Sequence, residues 1–380
     1  MAINLRFSES EEMLRKTAQD FMQRDATKEV VQALQETDTG YNEELWRKIV
    51  EMGWLGVIIP EQYGGTGNPL TSAGVLFEVL GRGPLPGPYF SSAILGSLII
   101  LEAGTEEQKK GILPAVAEGK QILALALTEP EYSWEPGAVQ TTATSKNGDF
   151  VIDGLKLFTV DAGAATHFIV VARTGKVTDP AKGISLFLVD SKSAGVSVRQ
   201  LHGFLAGRTF EVKLDAVKVP GSAMLGDSDE RWPSLKQAIE KSIPVLCAYQ
   251  VGGCQALLDM TLEHTRTRVQ FGQPVGRFQR VQDMIIEMVD QTDAARWATY
   301  EALWKLDTQR PAAESVHLAK VVASEGYFEV CTLAHRAFSG ISYSKEHPAS
   351  FHTRASRALY TYLGDPAYHR QQLAKFVTVK

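Results

Sequence analysis

The C-terminal part of the chain contains a turn at which a catalytic side chain could be placed. The stretch RALYTYLGDPAYHRQQL covers residues 357–373, and a helix is predicted to start at 367, after its Gly-Asp-Pro turn. Turns held between rigid helices can aim side chains into a cleft. The residue that leads into this turn is Leu363, which is neither an acid nor a base. A proton-transferring group would therefore have to lie elsewhere in the chain.

A second segment, RTRVQFGQPVGRFQRVQ, offers an arginine that could bind phosphate. Arg268, Phe271 and Gln279 fall at a predicted helix–turn–helix junction, and the planar guanidinium of arginine can donate two hydrogen bonds to phosphate oxygens. A surface ion pair beside a core phenylalanine explains the same residues and is the preferred interpretation on the residues alone. Thr128, in LALTEP, is either a donor to a ligand ring or a simple strand-end residue. The residue types alone leave these alternatives open.

Composition excludes several classes of function. A chain of 380 residues is long enough for two or three domains, and 44% hydrophobic with 22% charged residues is typical of a globular protein. The net charge of −5 and the lack of a basic cluster argue against nucleic acid and anionic membranes as partners. The three scattered cysteines form no CxxC motif, so we expect neither disulfides nor a bound metal.

The apolar segments also bear on location. The longest apolar run, residues 93–101, is too short to span a bilayer. The first residues, MAINLRFSESEEMLRK, become acidic at once and contain no apolar signal region. We therefore expect a soluble, cytoplasmic protein of a reducing compartment, without a membrane span.

The hydrophobic periodicity changes twice along the chain and predicts three domains. Residues 1–122 have the pattern of helices, residues 123–230 contain short β-rich runs between turn residues, and residues 231–380 return to long helices. The sequence thus predicts a mainly α fold with a central β domain. In the first helix, serines and glutamates form a capping signal, and the spacing predicts one apolar face. That predicted face comprises Met13, Leu14, Ala18 and Phe21.

The chain resembles the acyl-CoA dehydrogenase family over essentially its whole length. Four segments resemble family motifs and occur in the family's order: ELWRKIVEMGWLGVIIPEQYGGTG (44–67), LALTEP (125–130), FEVKLDAVKVPGSAMLG (210–226) and RTRVQFGQPVGRFQRVQ (266–282). The resemblance implies an N-terminal helical domain, a middle β-barrel or sheet domain and a C-terminal four-helix bundle. It also implies FAD bound at a subunit interface and assembly as a dimer of dimers.

The resemblance further implies which residues contact FAD. Thr128 would meet the flavin ring edge, and Arg268 would reach the pyrophosphate of the neighbouring subunit's FAD. Phe158 stands where the family stacks a tryptophan on the isoalloxazine, while Val160 stands at a threonine position and cannot donate its hydrogen bond. The full implied set is Thr128, Ser133, Phe158, Arg268, Phe271, Gln279, Arg336 and Gly340.

Some of these positions depart from the family pattern. The segment EYSWE (131–135) replaces a Gly-rich loop, and within it Ser133 is a partial substitute for the serine of that loop. Arg336 occupies the position of a glutamine that touches the adenine half of FAD, and only Gly340 remains of the glycines that follow it. An arginine there could help to bind the pyrophosphate or simply face solvent.

The family's catalytic glutamate is missing at both of its known positions. Aligned without gaps, the glutamate that removes the α-proton of the acyl thioester falls on Leu363, and the alternative family position falls near Ser242. Serine without an activating partner is not a competent base for a carbon acid. Substitute candidates are Asp365, just past the turn, and Glu240 and Tyr249 on the helix of Ser242. The two-residue offset of Glu240 from Ser242 turns it by about 200° around that helix.

Three functions follow, in order of preference. The first is the base-lacking subunit of a mixed tetramer, which dehydrogenates an acyl-CoA together with a sister subunit. The C-terminal segment LGDPAYHR resembles that branch of the family. The second is a self-sufficient acyl-CoA dehydrogenase, a homotetramer with a relocated base. The third is an acyl-CoA-binding scaffold or an enzyme of different chemistry. For the dehydrogenases, the resemblance implies electron-transfer flavoprotein as the electron acceptor.

Overall fold

A computed structural model of the chain describes residues 6–175, 178–203, 207–227 and 230–376. The chain order is helices, then a β sheet, then helices again, which confirms the predicted fold class. Its contacts divide it into two compact units. The helical unit comprises Met1–Gln35, Pro69–Leu85 and Ile243–Lys380, and the sheet unit comprises Glu36–Asn68 and Pro86–Ser242. The predicted domain boundaries after residues 122 and 230 stay a prediction.

The elements of the described residues are as follows. The α-helices are α1 Glu9–Arg24, α2 Lys28–Gln35, α3 Glu43–Glu51, α4 Leu70–Arg82, α5 Ser97–Ala103, α6 Glu106–Ala117, α7 Trp232–Thr267, α8 Gln279–Asp307, α9 Ala313–Phe338, α10 Pro348–Thr361 and α11 Pro366–Ala374. The strands are β1 Leu123–Ala126, β2 Thr142–Lys146, β3 Asp149–Val160, β4 His167–Arg173, β5 Ile184–Asp190, β6 Val196–Leu201, β7 Thr209–Val219, β8 Val269–Gln270 and β9 Gln273–Pro274.

The sheet unit is built on one seven-stranded sheet. Neighbouring strands follow the order β1-β4-β2-β3-β7-β6, and β5 pairs with β4. The sequences of β4 and β5, HFIVVAR and ISLFLVD, are almost continuously apolar, as expected for strands covered on both faces. Their buried side chains, among them Phe168, Val170 and Phe187, form the core of this unit.

Strand β3 is interrupted at the segment where the flavin-stacking ring was predicted. Its register against β7 shifts between Lys156 and Thr159, and Phe158, inside the shift, has a φ angle of 56°. Residues three apart in a regular strand point to opposite faces, yet Lys156 and Thr159 are both buried while Phe158 is exposed. The bulge therefore turns the Phe158 ring outwards.

In the helical unit, glycines allow α4 and α7 to approach closely. A Cβ atom added to Gly81 would lie 1.9 Å from the Tyr249 carbonyl oxygen, and one added to Gly252 would lie 1.9 Å from the Glu78 carbonyl oxygen. Only glycine tolerates such an approach of two backbones. The long helices α8 and α9 also pack along each other, and buried residues such as Met288 contribute to the core of this unit.

One expectation about the first helix is wrong. Ser8 and Glu11 form the predicted capping box, but Met13 is 66% exposed, whereas Ala18 and Phe21 are buried. Five residues correspond to about 140° around a helix, so Met13 lies off the face that Ala18 occupies. Across the described ranges, no helix is both long and apolar enough to cross a membrane.

Candidate active site

The turn between α10 and α11 contains no carboxylate at the position where one was sought. Leu363 is buried, with a φ angle of 60°, and Gly364 follows with a φ angle of 107°. Asp365 is the N-cap of α11, and its Oδ1 accepts a hydrogen bond of 2.7 Å from the Tyr368 backbone N–H. The Asp365 carboxylate therefore has a structural role at this helix end.

Two buried histidines, His317 and His369, stabilise this turn. His369 Nε2 donates to the Leu363 carbonyl oxygen across 3.1 Å, and the Nδ1 atoms of His369 and His317 lie 2.9 Å apart. Because Nε2 of His369 carries the proton, its Nδ1 accepts and His317 Nδ1 donates. Burial, with the charge of Lys320 next in importance, lowers the pKa of His369 to about 3. The His369 ring is therefore neutral at physiological pH.

A buried lysine also supports this turn. Lys320 of α9 is fully buried, and its Nζ donates to the Leu359 carbonyl oxygen across 2.7 Å and to Ser324 Oγ across 3.0 Å. Burial lowers the pKa of Lys320 to about 8. Leu359 lies in the last turn of α10, whose carbonyls have no partner within the helix. The chain segment that leads to Leu363 is thus held by hydrogen-bond donors from α9 and α11.

The other candidate bases have structural partners as well. Ser242 is buried and donates to the Ile239 carbonyl oxygen across 2.8 Å. The Tyr249 hydroxyl donates to the Leu85 carbonyl oxygen across 3.1 Å. Glu240 forms a 3.7 Å ion pair with the Lys236 ammonium, and burial raises the pKa of the Glu240 carboxyl. The three residues have no geometry that marks one of them as a base.

The predicted phosphate-binding arginine stands at the base of a tight hairpin. The Arg268 backbone is held at both of its groups, by a 2.8 Å bond from its N–H to the His264 oxygen and a 2.9 Å bond from the Val275 N–H to its oxygen. Strands β8 and β9 are joined through Phe271 and Gly272, whose φ angles of 53° and 79° suit a two-residue hairpin. The hairpin thus presents Arg268 and Phe271 to solvent, and Phe271 is 92% exposed.

Three further residues of the predicted set are accessible in the helical unit. Gln279 is the exposed first residue of α8. Arg336 lies exposed in the last turn of α9, and Gly340 follows that helix end with no atom within 4 Å of the position of an added Cβ. The helix end therefore leaves open space around Gly340. Nearby, the Tyr343 ring stacks on His335 with centroids 4.8 Å apart.

In the sheet unit, the loop after β1 is tied to the bulged strand. Half-buried Thr128 accepts a 2.8 Å hydrogen bond from the Leu157 N–H at its carbonyl oxygen. Phe158 is 44% exposed, whereas the buried Thr159 hydroxyl has no hydrogen-bond partner within the described residues. Ser133 Oγ accepts the Glu135 N–H across 3.1 Å and so stabilises a local turn.

A buried ion pair beneath this loop was missed by the sequence analysis. Lys156 Nζ donates to Glu129 Oε1 across 2.6 Å and to the Leu127 carbonyl oxygen across 3.2 Å. Glu129 also accepts the backbone N–H groups of Gln140 at 2.7 Å and Thr141 at 3.0 Å. Burial raises the pKa of Glu129, but Lys156 and the two amides lower it more. Burial lowers the pKa of Lys156 to about 8, which still leaves its ammonium protonated at neutral pH, so the pair is ionised and ties the loop to β3.

The sequence contained a signal for this pair. Lys156 lies four residues after the buried Ile152, so alternation along β3 places both side chains on the inward face. A lysine at an inward position requires a buried partner. Glu129 belongs to the LALTEP segment already singled out.

A second buried carboxyl was also missed. Asp161 directly follows β3, and its Oδ2 accepts a 2.7 Å hydrogen bond from Ser91 Oγ. Burial raises the pKa of Asp161 to about 6, against the smaller opposing effects of Ser91 and Arg208.

In the described part of the chain, no group of His, Cys, Asp and Glu side chains is arranged to hold a metal ion.

Comparison with known proteins identifies the family. The chain matches the profiles of the acyl-CoA dehydrogenase N-terminal domain over residues 8–120, the middle domain over 124–217 and the C-terminal domain over 232–378. It is 31% identical over 352 residues to a probable acyl-CoA dehydrogenase, YngJ, of Bacillus subtilis, covering 91% of this chain and 92% of that protein.

Two further proteins agree with this assignment. The chain is 30% identical over 364 residues to the caffeyl-CoA reductase-Etf complex subunit CarC of Acetobacterium woodii, covering 94% of this chain and 95% of that protein. The solved structure of butyryl-CoA dehydrogenase from Megasphaera elsdenii superposes with a TM-score of 0.91 at 27% identity, covering 99% of each chain. The chain therefore belongs, as its sequence motifs indicated, to the acyl-CoA dehydrogenase family of oxidoreductases, which act on the CH–CH bond of acyl-CoA thioesters.

Proposed function

We propose that this chain is the base-lacking subunit of a FAD-dependent acyl-CoA dehydrogenase, working with a sister subunit that carries the glutamate. One observation carries the proposal. Buried hydrogen-bond donors stabilise the turn that would hold the base, yet the residue at the position of the base is Leu363. The nearby Asp365 carboxylate caps α11. An ordered turn without a proton acceptor supports the proposal that the base comes from the sister subunit.

The described residues fit FAD. Phe158 exposes an aromatic ring on the sheet unit, on which a flat ring system can stack. Arg268 and Phe271 offer an accessible guanidinium and an accessible ring on a rigid hairpin. This donor set suits a flavin dinucleotide, which combines a flat ring system with a pyrophosphate.

The proposed roles of these residues follow from their chemistry. Phe158 stacks on the flavin, Thr128 donates to the ring edge, and Arg268 of one copy reaches the pyrophosphate of another. Gln279, Arg336 and Gly340 line the adenine half. The remaining members of the predicted set are Ser133, whose Oγ already accepts a local backbone amide, and Phe271.

The reaction removes a proton from the α-carbon and a hydride from the β-carbon of the thioester, which leaves a C=C bond. FAD, when bound, supplies the hydride acceptor. The α-proton needs a base, and Leu363 cannot accept it, so a carboxylate of the sister subunit takes this role. Leu363 instead places a buried apolar side chain at this turn.

The electron partner and the assembly belong to the same proposal. A relative over nearly the whole chain is named as a subunit of a reductase-Etf complex, which supports an electron-transfer flavoprotein as the redox partner of this chain. We propose a tetramer, mixed with a sister subunit or homomeric, and a cytoplasmic location.

A self-sufficient enzyme with a relocated base is the second candidate. The half-buried carboxyl of Glu240 favours it, because this group can accept a proton and burial raises its pKa. Asp365 and Tyr249 are weaker candidates, since each already has a structural hydrogen bond.

The test is anaerobic flavin reduction by a panel of acyl-CoAs. The chain is prepared alone and together with a family member that carries Glu-Gly-Thr at the turn. We expect flavin absorbance in the preparations and rapid bleaching only when both subunits are present. Rapid bleaching by this chain alone would favour the second candidate, and failure of both preparations to take up FAD would overturn the proposal.

A further inference from the structure

A cleft in the sheet unit lies between α6 and the ends of β4, β5 and β7, and it contains none of the residues proposed to contact FAD. Its volume is about 230 Å³. Ligand sites of about 300–1,000 Å³ take drug-sized molecules, so this cleft suits a smaller one. Its apolar wall includes the buried residues Ile112, Val219 and Leu225. We call it the α6 cleft, and its polar lining comprises His167, Asp190, Ser193, Lys218 and Ser222.

Two hydrogen-bond acceptors meet in the α6 cleft. His167 of β4 and Asp190 of β5 are direct cross-strand partners, so their side chains lie on the same face of the sheet. Thr166 Oγ1 donates to the Ile122 carbonyl oxygen across 3.2 Å. The 3.0 Å contact between Thr166 Oγ1 and His167 Nδ1 is therefore donated by the ring. Burial, opposed in part by Asp190, lowers the pKa of His167, so the ring is neutral and its Nε2 is an acceptor.

A lysine supplies the positive charge of the cleft. Lys218 of β7 is exposed, and within the described residues its ammonium forms no hydrogen bond or ion pair. Asp190 Oδ1 accepts the Lys192 backbone N–H across 2.8 Å, but the Asp190 carboxylate has no ion pair in that part of the chain either. The two charges thus line one cleft without pairing with each other. A ligand that carries both charges could bridge them.

The wall that carries Ser222 is fixed by α6. Gln108 Nε2 donates to the carbonyl oxygens of Ser222 at 3.1 Å and Met224 at 2.7 Å. Gln108 Oε1 accepts the Gly226 N–H across 2.9 Å, and the same side chain completes the capping box of α6 with Thr105. The cleft is therefore formed by rigid elements before a ligand arrives, which reduces the cost of ordering on binding.

We propose that the α6 cleft binds a free α-amino acid with an apolar side chain. The ammonium group of the ligand donates to His167 Nε2 and to the Asp190 carboxylate, and its carboxylate pairs with Lys218. The side chain of the ligand contacts the apolar wall. An amine alone would leave Lys218 without a partner, and an anion alone would face the charge of Asp190, so the cleft selects a molecule with both groups. This inference does not depend on the proposed function.

The test is calorimetric titration of the full chain, prepared with its sister subunit if it needs one. The probes are leucine, valine and phenylalanine. Three comparison ligands each lack one feature: leucinamide has no carboxylate, N-acetylleucine has no ammonium group and glycine has no apolar side chain. Each comparison ligand should bind at least about tenfold more weakly than leucine, because one of the three contacts is lost.

Two variants assign the charged contacts. Lys218→Met should weaken leucine binding by about tenfold and leave leucinamide binding unchanged. Asp190→Asn should weaken leucine binding by a similar factor without weakening that of N-acetylleucine. The control is Lys146→Met, which removes an exposed lysine at the end of β2 in the same unit and should bind leucine as the wild type does.

The absence of saturable binding of leucine, valine and phenylalanine up to about 10 mM would overturn the inference. Leucinamide or N-acetylleucine that binds as tightly as leucine would show a site for a single charge, which also overturns it. Equal leucine affinity of Lys218→Met and Lys146→Met would do the same. None of these outcomes bears on FAD binding, which is measured separately.

Discussion

Lys156 and Glu129 form a salt bridge of 2.6 Å in which both side chains are buried, at 0% and 4% exposure. A buried pair contributes little net stability relative to apolar residues, but removal of one partner strands the other charge. The pair also fixes the loop that carries Thr128 to the strand that carries Phe158. It is therefore the element on which the geometry of the proposed flavin surface depends.

The first prediction concerns the separate loss of each partner of this pair. Glu129→Gln should lower the free energy of unfolding by about 3–5 kcal/mol, because the Lys156 ammonium is left buried without an anion. The double variant with Lys156→Met should be less destabilised than Glu129→Gln alone, since the stranded charge is gone. Urea unfolding measures both quantities.

The control is an exposed pair in the same unit. Lys213 and Asp215 lie 3.3 Å apart with side chains 56% and 68% exposed, so Asp215→Asn should cost about 1 kcal/mol or less. If Glu129→Gln lowers the free energy of unfolding no more than Asp215→Asn does, the buried Lys156–Glu129 pair does not stabilise the fold.

The second prediction concerns the pH dependence of Asp161. Its pKa is raised from 3.8 to about 6 in the folded chain, so the protonated form stabilises the fold fully below pH 3.8, and this contribution is lost as the pH rises through 6. Asp161→Asn cannot ionise, and it should gain up to about 3 kcal/mol relative to the wild type between these pH values. Denaturant unfolding at a series of pH values measures the difference.

Above pH 7 the gain of Asp161→Asn should be constant, since the wild-type carboxylate is then fully ionised. Ser91→Ala provides a second check, because it removes the hydroxyl that donates to Asp161 across 2.7 Å. This variant should raise the pKa of Asp161 further and move the pH window upwards. A stability difference that does not change with pH would contradict the assignment.

The fold could be predicted from the sequence because its signals are long and repeated. Helical periodicity, the change to short β runs and four motifs in family order all indicated the same architecture. Met13 was misplaced because a short apolar spacing does not fix the angle of the buried face. The strand bulge at Phe158 was not predicted, since it depends on the register between β3 and β7.

The candidate site could be predicted only in part. The absence of a carboxylate at Leu363 is visible in the sequence, but the histidines behind it are recognisable only after α9 and α11 are packed. Lys156 was identifiable from strand alternation. The contact of Tyr132 with Phe158 was not, because the two rings are 26 residues apart and meet through a loop with a left-handed residue.

The third prediction concerns Arg268. Arg268→Ala should weaken FAD binding by about 10- to 100-fold, because charge-assisted hydrogen bonds to the pyrophosphate are lost. Arg268→Lys should be intermediate, since it keeps the charge without the planar fork. Arg280→Ala, an exposed arginine near the start of α8, is the matched control. Equal FAD affinity of Arg268→Ala and Arg280→Ala would argue against the proposed pyrophosphate contact.

The fourth prediction concerns assembly. Ile286 and Trp297 on α8 are 59% and 57% exposed, and their 11-residue separation places them within about 20° of each other around the helix. These two large apolar side chains are exposed on one face of α8, with the exposed Asp290 and Asp293 between them, and burial of such side chains favours a subunit interface. Trp297→Glu should shift a dimer or tetramer towards smaller species in light scattering at micromolar concentration.

Met13→Glu on α1 is the control for this shift, since Met13 is similarly exposed at 66% but lies on another helix. It should leave the assembly unchanged. A wild type that is monomeric at micromolar concentration would contradict the predicted assembly, and with it the proposed sharing of FAD between copies.

The last prediction returns to the turn that His369 holds through the Leu363 carbonyl. The loss of a positioned general base typically costs about 10²–10⁴-fold in rate, so the chain alone should reduce its flavin slowly. Leu363→Glu should recover part of that rate. Leu363→Gln should not, because glutamine has the shape of glutamate but cannot act as the base. Apolar surroundings raise the pKa of a carboxyl, so the recovered rate should increase with pH.

The measurement is anaerobic flavin bleaching by a panel of acyl-CoAs, with the wild type and its sister subunit as the reference for full activity. Asp365→Asn, Glu240→Gln and Tyr249→Phe test the substitute bases in the chain alone. If the wild type alone bleaches rapidly and none of these three variants slows it, then neither the base-lacking assignment nor any of the substitute bases is correct. If only Glu240→Gln slows it, the relocated base is Glu240, and Leu363 forms only an apolar wall of a self-sufficient site.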